Sequence, residues 1–295
     1  MVFLPNLNAS TLPPLYKAKN SYKEPVARII KNYRREDPPS TPQLAVPVQI
    51  SEECQCAGYI SNNPLKKAVR DLVIIAFYYL LRVGEYTKPR ITIKNGKTRR
   101  ATRTMQFSVA NIGFFKDNKI LPQESPLQKL LTADSCTFKI SNQKNRRMGE
   151  TIHQCAIPSK HCPVKAASHR VHHILQHHGN TDNLICNVFL SATNTWTQVT
   201  PQQMMKSIRS AAEALQLHKN GLNAYLLGMH LLRAGGTMTL KLQGEKDTTI
   251  MKMGRWTSLT FLQYIHHQIA HLKKDISQKM SKKIHFQNIS TIQKP

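Results

Sequence analysis

The 295 residues carry 42 Lys and Arg against 16 Asp and Glu, a formal charge of +26 that favours a polyanionic partner, because neutralising phosphates releases condensed counterions. Apolar residues at 40% are enough for a buried core and argue against global disorder. No stretch approaches the ~20 apolar residues of a bilayer span, and the opening MVFLPNLNAS lacks a secretory signal's basic and apolar regions, although charge alone does not separate a nucleic acid from an anionic membrane surface.

Residues 1 to 64 read as irregular, with proline recurring from Pro5 to Pro47. One short helix fits at 25–33, where Val26, Ile29, Ile30 and Tyr33 have helical spacing. The stretch 37–48 reads as an extended, Pro-bearing linker. Asn63-Pro64 opens a helix, with Asn63 as N-cap and Pro64 in the first turn. The longest apolar run, Leu72 to Leu81, follows as a buried helix and ends at Arg82-Val83-Gly84-Glu85.

From Arg90 to Ala156 the pattern is β-like, with Ile91, Ile93, Phe107, Val109, Ile112 and Phe114 apolar and Asn95-Gly96 as a turn. Strands beginning near Phe138 and Thr151 form a hairpin whose tip, Asn142 to Gly149, is basic. Helices are expected at 164–178, from Thr200-Pro201 through Leu215, and at 230–242, 247–253 and 258–272. The expected architecture is mainly α with a small antiparallel β-sheet, an α+β fold.

Three pieces of the last third carry chemistry: His230-Leu231-Leu232-Arg233-Ala234-Gly235-Gly236, Gly254-Arg255-Trp256, and Tyr264 within Phe261-Leu262-Gln263-Tyr264-Ile265. His230 and Arg233 stand at i and i+3, on one helix face. A tyrosine is a nucleophile only with help, since its pKa near 10 leaves it protonated at neutral pH. Arginines suit an anionic phosphodiester because their forks of donors match its oxygens.

With these motifs the sequence resembles the tyrosine recombinase (phage integrase) family, and most closely recombinases of eukaryotic mobile elements of the crypton and DIRS-like groups. The resemblance spans about residues 66 to 272. It includes an upstream arginine followed three residues later by glutamate, here Arg82 and Glu85, and a lysine in a hairpin, here Lys144. Lys139, Arg146 and Arg147 compete for the lysine's place.

The resemblance implies the recombinase catalytic-domain fold and a 3′-phosphotyrosyl intermediate at Tyr264. Arg82 and Arg233 would clamp the phosphate, His230 would act as base or phosphate ligand, and Lys144 would be the general acid. Losing one clamp donor would cost on the order of 10²–10³ in rate, by analogy with oxyanion-hole deletions. The position after Gly254, often histidine in the family, is open here between Arg255 and Trp256. No metal or cofactor is implied. Cys155, Cys162, His169, His172 and His173 lie close in sequence but lack zinc-ligand spacing, and the six cysteines read as reduced thiols.

The implied organisation is a remnant of the N-terminal core-binding (SAM-like) helical domain plus linker at 1–62, the catalytic domain at 63–275 and a basic tail at 276–295. About 60 residues are too few for a complete core-binding domain, which implies a truncated element copy. The expected partner is double-stranded DNA, bound by a homo-oligomer, a tetramer on paired sites, with no membrane partner. The expected location is intracellular, nuclear in a eukaryote and cytoplasmic otherwise. Two further readings stay open: a DNA-binding remnant without turnover, and a type IB topoisomerase sharing the chemistry.

Overall fold

The structure is a computed structural model that describes residues 45–89, 91–94, 97–100, 105–140, 149–178, 184–220, 222–228 and 230–264, with backbone alone at 91–94, 97–100, 220, 226, 260, 263 and 264. The expected helix at 25–33, the basic hairpin tip with Lys144, and the tail after 264 lie outside the described residues.

The central element is helix α2 (Pro64–Tyr78), which follows α1 (Val48–Ile60) in the chain. Asn63 starts α2 as expected: its side chain accepts from the amides of Leu65 at 2.9 Å and Lys66 at 3.2 Å, and Pro64 needs no donor partner. Every residue from Asp71 to Phe77 is buried, so the helix has no solvent stripe over two turns. Helix α1 was not legible as such. It starts at Val48, in the stretch that reads as extended, and its buried positions Ile50, Ser51, Cys54, Gln55 and Gly58 are mostly small or polar. It approaches α2 closely at Gly58, where an added Cβ would lie 2.5 Å from Cβ of Arg70.

A single turn, α3 (Val83–Tyr86), follows α2. Strands β1 (Ile91–Lys94) and β2 (Lys97–Arg100) pair antiparallel, with Lys94 opposite Lys97; the Asn95-Gly96 turn expected between them lies outside the described residues. The main sheet combines β3 (Ile112–Lys116), β4 (Lys119–Leu121), β5 (Ser135–Ile140) and β6 (Glu150–Cys155), all antiparallel in the order β4-β3-β5-β6. A short helix, α4 (Leu127–Leu130), links β4 to β5. One face of the sheet is apolar: Phe114 lies opposite Cys136 and Phe138 opposite Ile152, all buried. The Tyr79 ring lies 4.1 Å from that of Phe138 at a tilt of 41°, and its hydroxyl donates to the Cys136 carbonyl at 3.0 Å, which joins the end of α2 to the sheet.

Helix α5 (Pro163–His178) packs along α2. A hairpin with no strong sequence signal follows, β7 (Val188–Leu190) and β8 (Trp196–Gln198); three-residue strands are too short to show alternation. The buried Arg170 of α5 ties it down by donating to the carbonyls of Cys186 at 3.1 Å and Val188. Helix α6 (Pro201–Ala214) starts with a reciprocal cap, in which Gln203 N donates to Thr200 Oγ1 at 3.2 Å and Thr200 N to Gln203 Oε1 at 2.8 Å. Helices α7 (Leu231–Leu242) and α8 (Asp247–Gly254) follow, then a 3₁₀ segment at Leu259–Tyr264 in place of the first turns of the helix expected from 258.

Gly235 and Gly236 explain how α7 reaches the core. A Cβ at Gly235 would lie 2.0 Å from the Val46 carbonyl oxygen, and one at Gly236 would lie 2.5 Å from both the Phe77 carbonyl oxygen and Leu80 Cδ2. Only glycine permits that approach of α7 to α2. The described residues thus form a mainly helical unit with a small antiparallel sheet, and none of their helices is long and apolar enough to cross a membrane.

Candidate functional site

The site forms where two helix C-termini meet. Helix α2 ends with Leu80 in the left-handed region (φ 47°), while Leu81 N donates to Ala76 O at 3.0 Å. Helix α8 ends in the same way at Arg255 (φ 58°), with Trp256 N donating to Met251 O at 2.9 Å and Arg255 N to Lys252 O at 3.1 Å. Glycine is the usual residue in this position of a helix-ending turn. Leucine and arginine there each cost about 1–2 kcal/mol of backbone strain, so tertiary contacts must hold both turns.

Those contacts come from arginines. Arg233, on α7 and only 2% exposed, donates from Nη1 to the Leu80 carbonyl at 2.9 Å and from Nη2 to the Gly254 carbonyl. Arg255 donates to the same Leu80 carbonyl from Nη2 at 3.1 Å. Both guanidiniums thus lie at the negative ends of helix dipoles, where cations are favoured.

Glu85 is the hub of the cluster. Arg255 grips it with both fork nitrogens, Nη1 to Oε1 at 2.7 Å and Nη2 to Oε2 at 2.8 Å. The Arg82 amide donates to Oε2 at 2.7 Å, and Arg82 Nη1 stands 3.5 Å from Oε1. The side chains of Arg255 and Glu85 are 0% and 1% exposed. Burial alone would raise the Glu85 carboxyl, but the opposing charge and hydrogen bonds of Arg255, with the Arg82 amide and charge, hold it below the ordinary carboxylate value. The guanidiniums of Arg82 and Arg255 therefore flank one ionised carboxylate, and Arg233 joins the cluster through the Leu80 carbonyl that it shares with Arg255.

Trp256 closes the cluster on one side. Its ring centroid lies 4.2 Å from Cζ of Arg233, a cation–π contact, and its ring meets Phe261 at 5.8 Å. The ring folds back over the end of α8 because residue 254 is glycine: a Cβ there would lie 1.5 Å from a ring carbon.

The structure thus gathers Arg82, Glu85, Arg233, Arg255 and Trp256, from segments as much as 170 positions apart. It separates His230 from Arg233 more than the i, i+3 spacing suggests: His230 is exposed at the N-cap of α7, whereas Arg233 points inward. Of the two residues competing for the position after Gly254, Arg255 is committed to Glu85 and Trp256 covers Arg233. The backbone of Tyr264 ends the 3₁₀ segment three residues beyond the buried Phe261; its side chain and all of Lys144 lie outside the described residues.

The Glu85–Arg255 pair and the capping by Arg233 were not legible, since no local pattern joins residues 85 and 255. The nearest signal is Gly254 itself, a glycine closing a helical run. Among the described residues no group of three or more His, Cys, Asp or Glu is placed to hold a metal ion. No family model matches the chain, and no curated protein matches it.

Proposed function

We propose that the chain is a DNA breaking-and-rejoining enzyme of the tyrosine recombinase type, with Tyr264 as nucleophile. One observation carries the reading: Arg82, Glu85, Arg233, Arg255 and Trp256, the residues singled out by their motifs, converge on one spot from distant segments. Three arginines and one carboxylate in the cluster leave a positive excess suited to a phosphodiester. Arg82, with a side chain 17% exposed, is the most exposed of the three arginines.

In this mechanism Arg82 and Arg233 hold the non-bridging oxygens, Arg255 fixes Glu85 behind them, and Trp256 keeps the Arg233 guanidinium in place. The Tyr264 phenol oxygen attacks phosphorus and loses its proton to His230. The bond to the 5′ oxygen breaks, and that oxygen takes a proton from Lys144. The 3′-phosphotyrosyl ester conserves bond energy, so a 5′ hydroxyl rejoins the strand by reversal without ATP. Two duplex sites held by four copies of the chain complete the exchange.

A second reading has its own support. Arg233 is 2% exposed and directed at two carbonyls, as suits a structural arginine in a DNA-binding remnant without turnover. Incubation with a nicked suicide duplex tests both. The enzyme reading requires a covalent protein–DNA adduct that Tyr264→Phe abolishes. Salt-sensitive binding without adduct supports the remnant and refutes the enzyme.

A further inference from the structure

A second cationic site lies on the other half of α2. A cavity of about 200 Å³ opens between α1, α2 and the start of α5, lined by Tyr59, Arg70, Asp71, Lys160, Lys165 and His169. At roughly 30 Å³ per water molecule, that is room for one phosphate group with part of its hydration.

Its chemistry is organised from the floor upward. Asp71, 3% exposed, accepts from Arg70 Nε at 2.7 Å and lies 3.8 Å from His169 Nδ1. Arg70 Nη2 stands 3.4 Å from the same imidazole nitrogen. Close approach of Gly58 to Arg70 Cβ restricts the arginine from the α1 side. Arg70 is thus oriented before any ligand arrives, which lowers the ordering cost of binding. Burial pushes the His169 imidazole below its usual value, so it is a neutral wall near neutral pH. Lys160 and Lys165 add two cations to the lining, against the single carboxylate already engaged by Arg70. Tyr59, 75% exposed, adds an aromatic ring to the same lining.

We infer that this pocket binds a backbone phosphate of a polynucleotide, at a place separate from the arginine cluster at Glu85. Arg70, Lys160 and Lys165 contact the phosphate, and Asp71 is a positioning residue for Arg70. The chain's charge of +26 favours a polyanion over a solitary anion, and the cavity's size limits the contact to one phosphate of that polymer. The inference does not depend on strand cleavage.

The test is fluorescence anisotropy of a labelled DNA duplex with the full chain across a salt series. Lys160→Ala/Lys165→Ala should weaken binding about tenfold and reduce the slope of log affinity against log salt by about one, the signature of one lost phosphate contact. A charge-matched control, Lys119→Ala/Lys129→Ala, removes two exposed lysines elsewhere. Circular dichroism checks that the variants fold, and the nicked-duplex adduct assay separates this site from the cleavage reading. Affinity and slope equal to those of the control would overturn the inference. So would a pocket that takes inorganic phosphate, at matched ionic strength, while the double variant binds the duplex like the wild type.

Discussion

Removing Glu85 gives the sharpest physical test of the cluster. Glu85→Ala strips the partner from Arg255, whose side chain is 0% exposed and whose Nε has no acceptor among the described residues. A buried ion left unpaired costs about 3–5 kcal/mol. At about 2–4 °C per kcal/mol for a domain of this size, the melting temperature should fall by about 6–20 °C. The assay is thermal unfolding followed by circular dichroism, with urea unfolding giving the free-energy difference.

A double-mutant cycle adds specificity: Glu85→Leu with Arg255→Met should cost less than the sum of the two single changes, because neither then leaves an orphaned charge. The pH dependence has a defined sign. The folded Glu85 carboxyl titrates below its ordinary value of 4.5, so between those two values the unfolded chain binds more protons. The pair's contribution is therefore complete above about pH 4.5 and is lost as pH falls through the folded value. Glu85→Gln should flatten that limb of the stability profile. A Glu85→Ala protein within about 1 kcal/mol of wild type would refute the view that this pair holds the two helix ends together.

Further outcomes follow from other sites. Gly236→Ala should destabilise by about 1–3 kcal/mol, because its methyl would lie 2.5 Å from the Phe77 carbonyl oxygen; urea midpoints measure it. The His173 imidazole, with its Nε2 buried, is pushed down to about 4 by burial and then by nearby cations, Arg170 first. Its folded value lies below the ordinary imidazole value of 6.5, so its contribution to stability is full above about pH 6.5 and declines as pH falls to about 4; NMR titration of its ring protons should show the low midpoint. Tyr264→Phe should leave the unfolding midpoint within about 0.5 kcal/mol while abolishing any covalent adduct, which separates a chemical role from a packing one.

What could be read in the chain was what local physics decides. Asn63-Pro64 and Thr200-Pro201 announce helices because a capping side chain and its amides lie within three residues. The β5–β6 hairpin shows through alternation, and α7 and α8 through their periodicity. Helix α1 and the β7–β8 hairpin stayed hidden: one buries small and polar residues, and the other is three residues per strand.

The motif residues too were visible as types and spacings, but not what each one touches. That Arg255 would grip Glu85, that Arg233 would turn inward to the ends of two helices, and that Leu80 would take a left-handed turn depended on α7 and α8 docking against the end of α2. An apolar period or a cap is settled among neighbours a turn apart. A buried charge is settled by whichever partner the finished fold brings to it, here from 170 residues away.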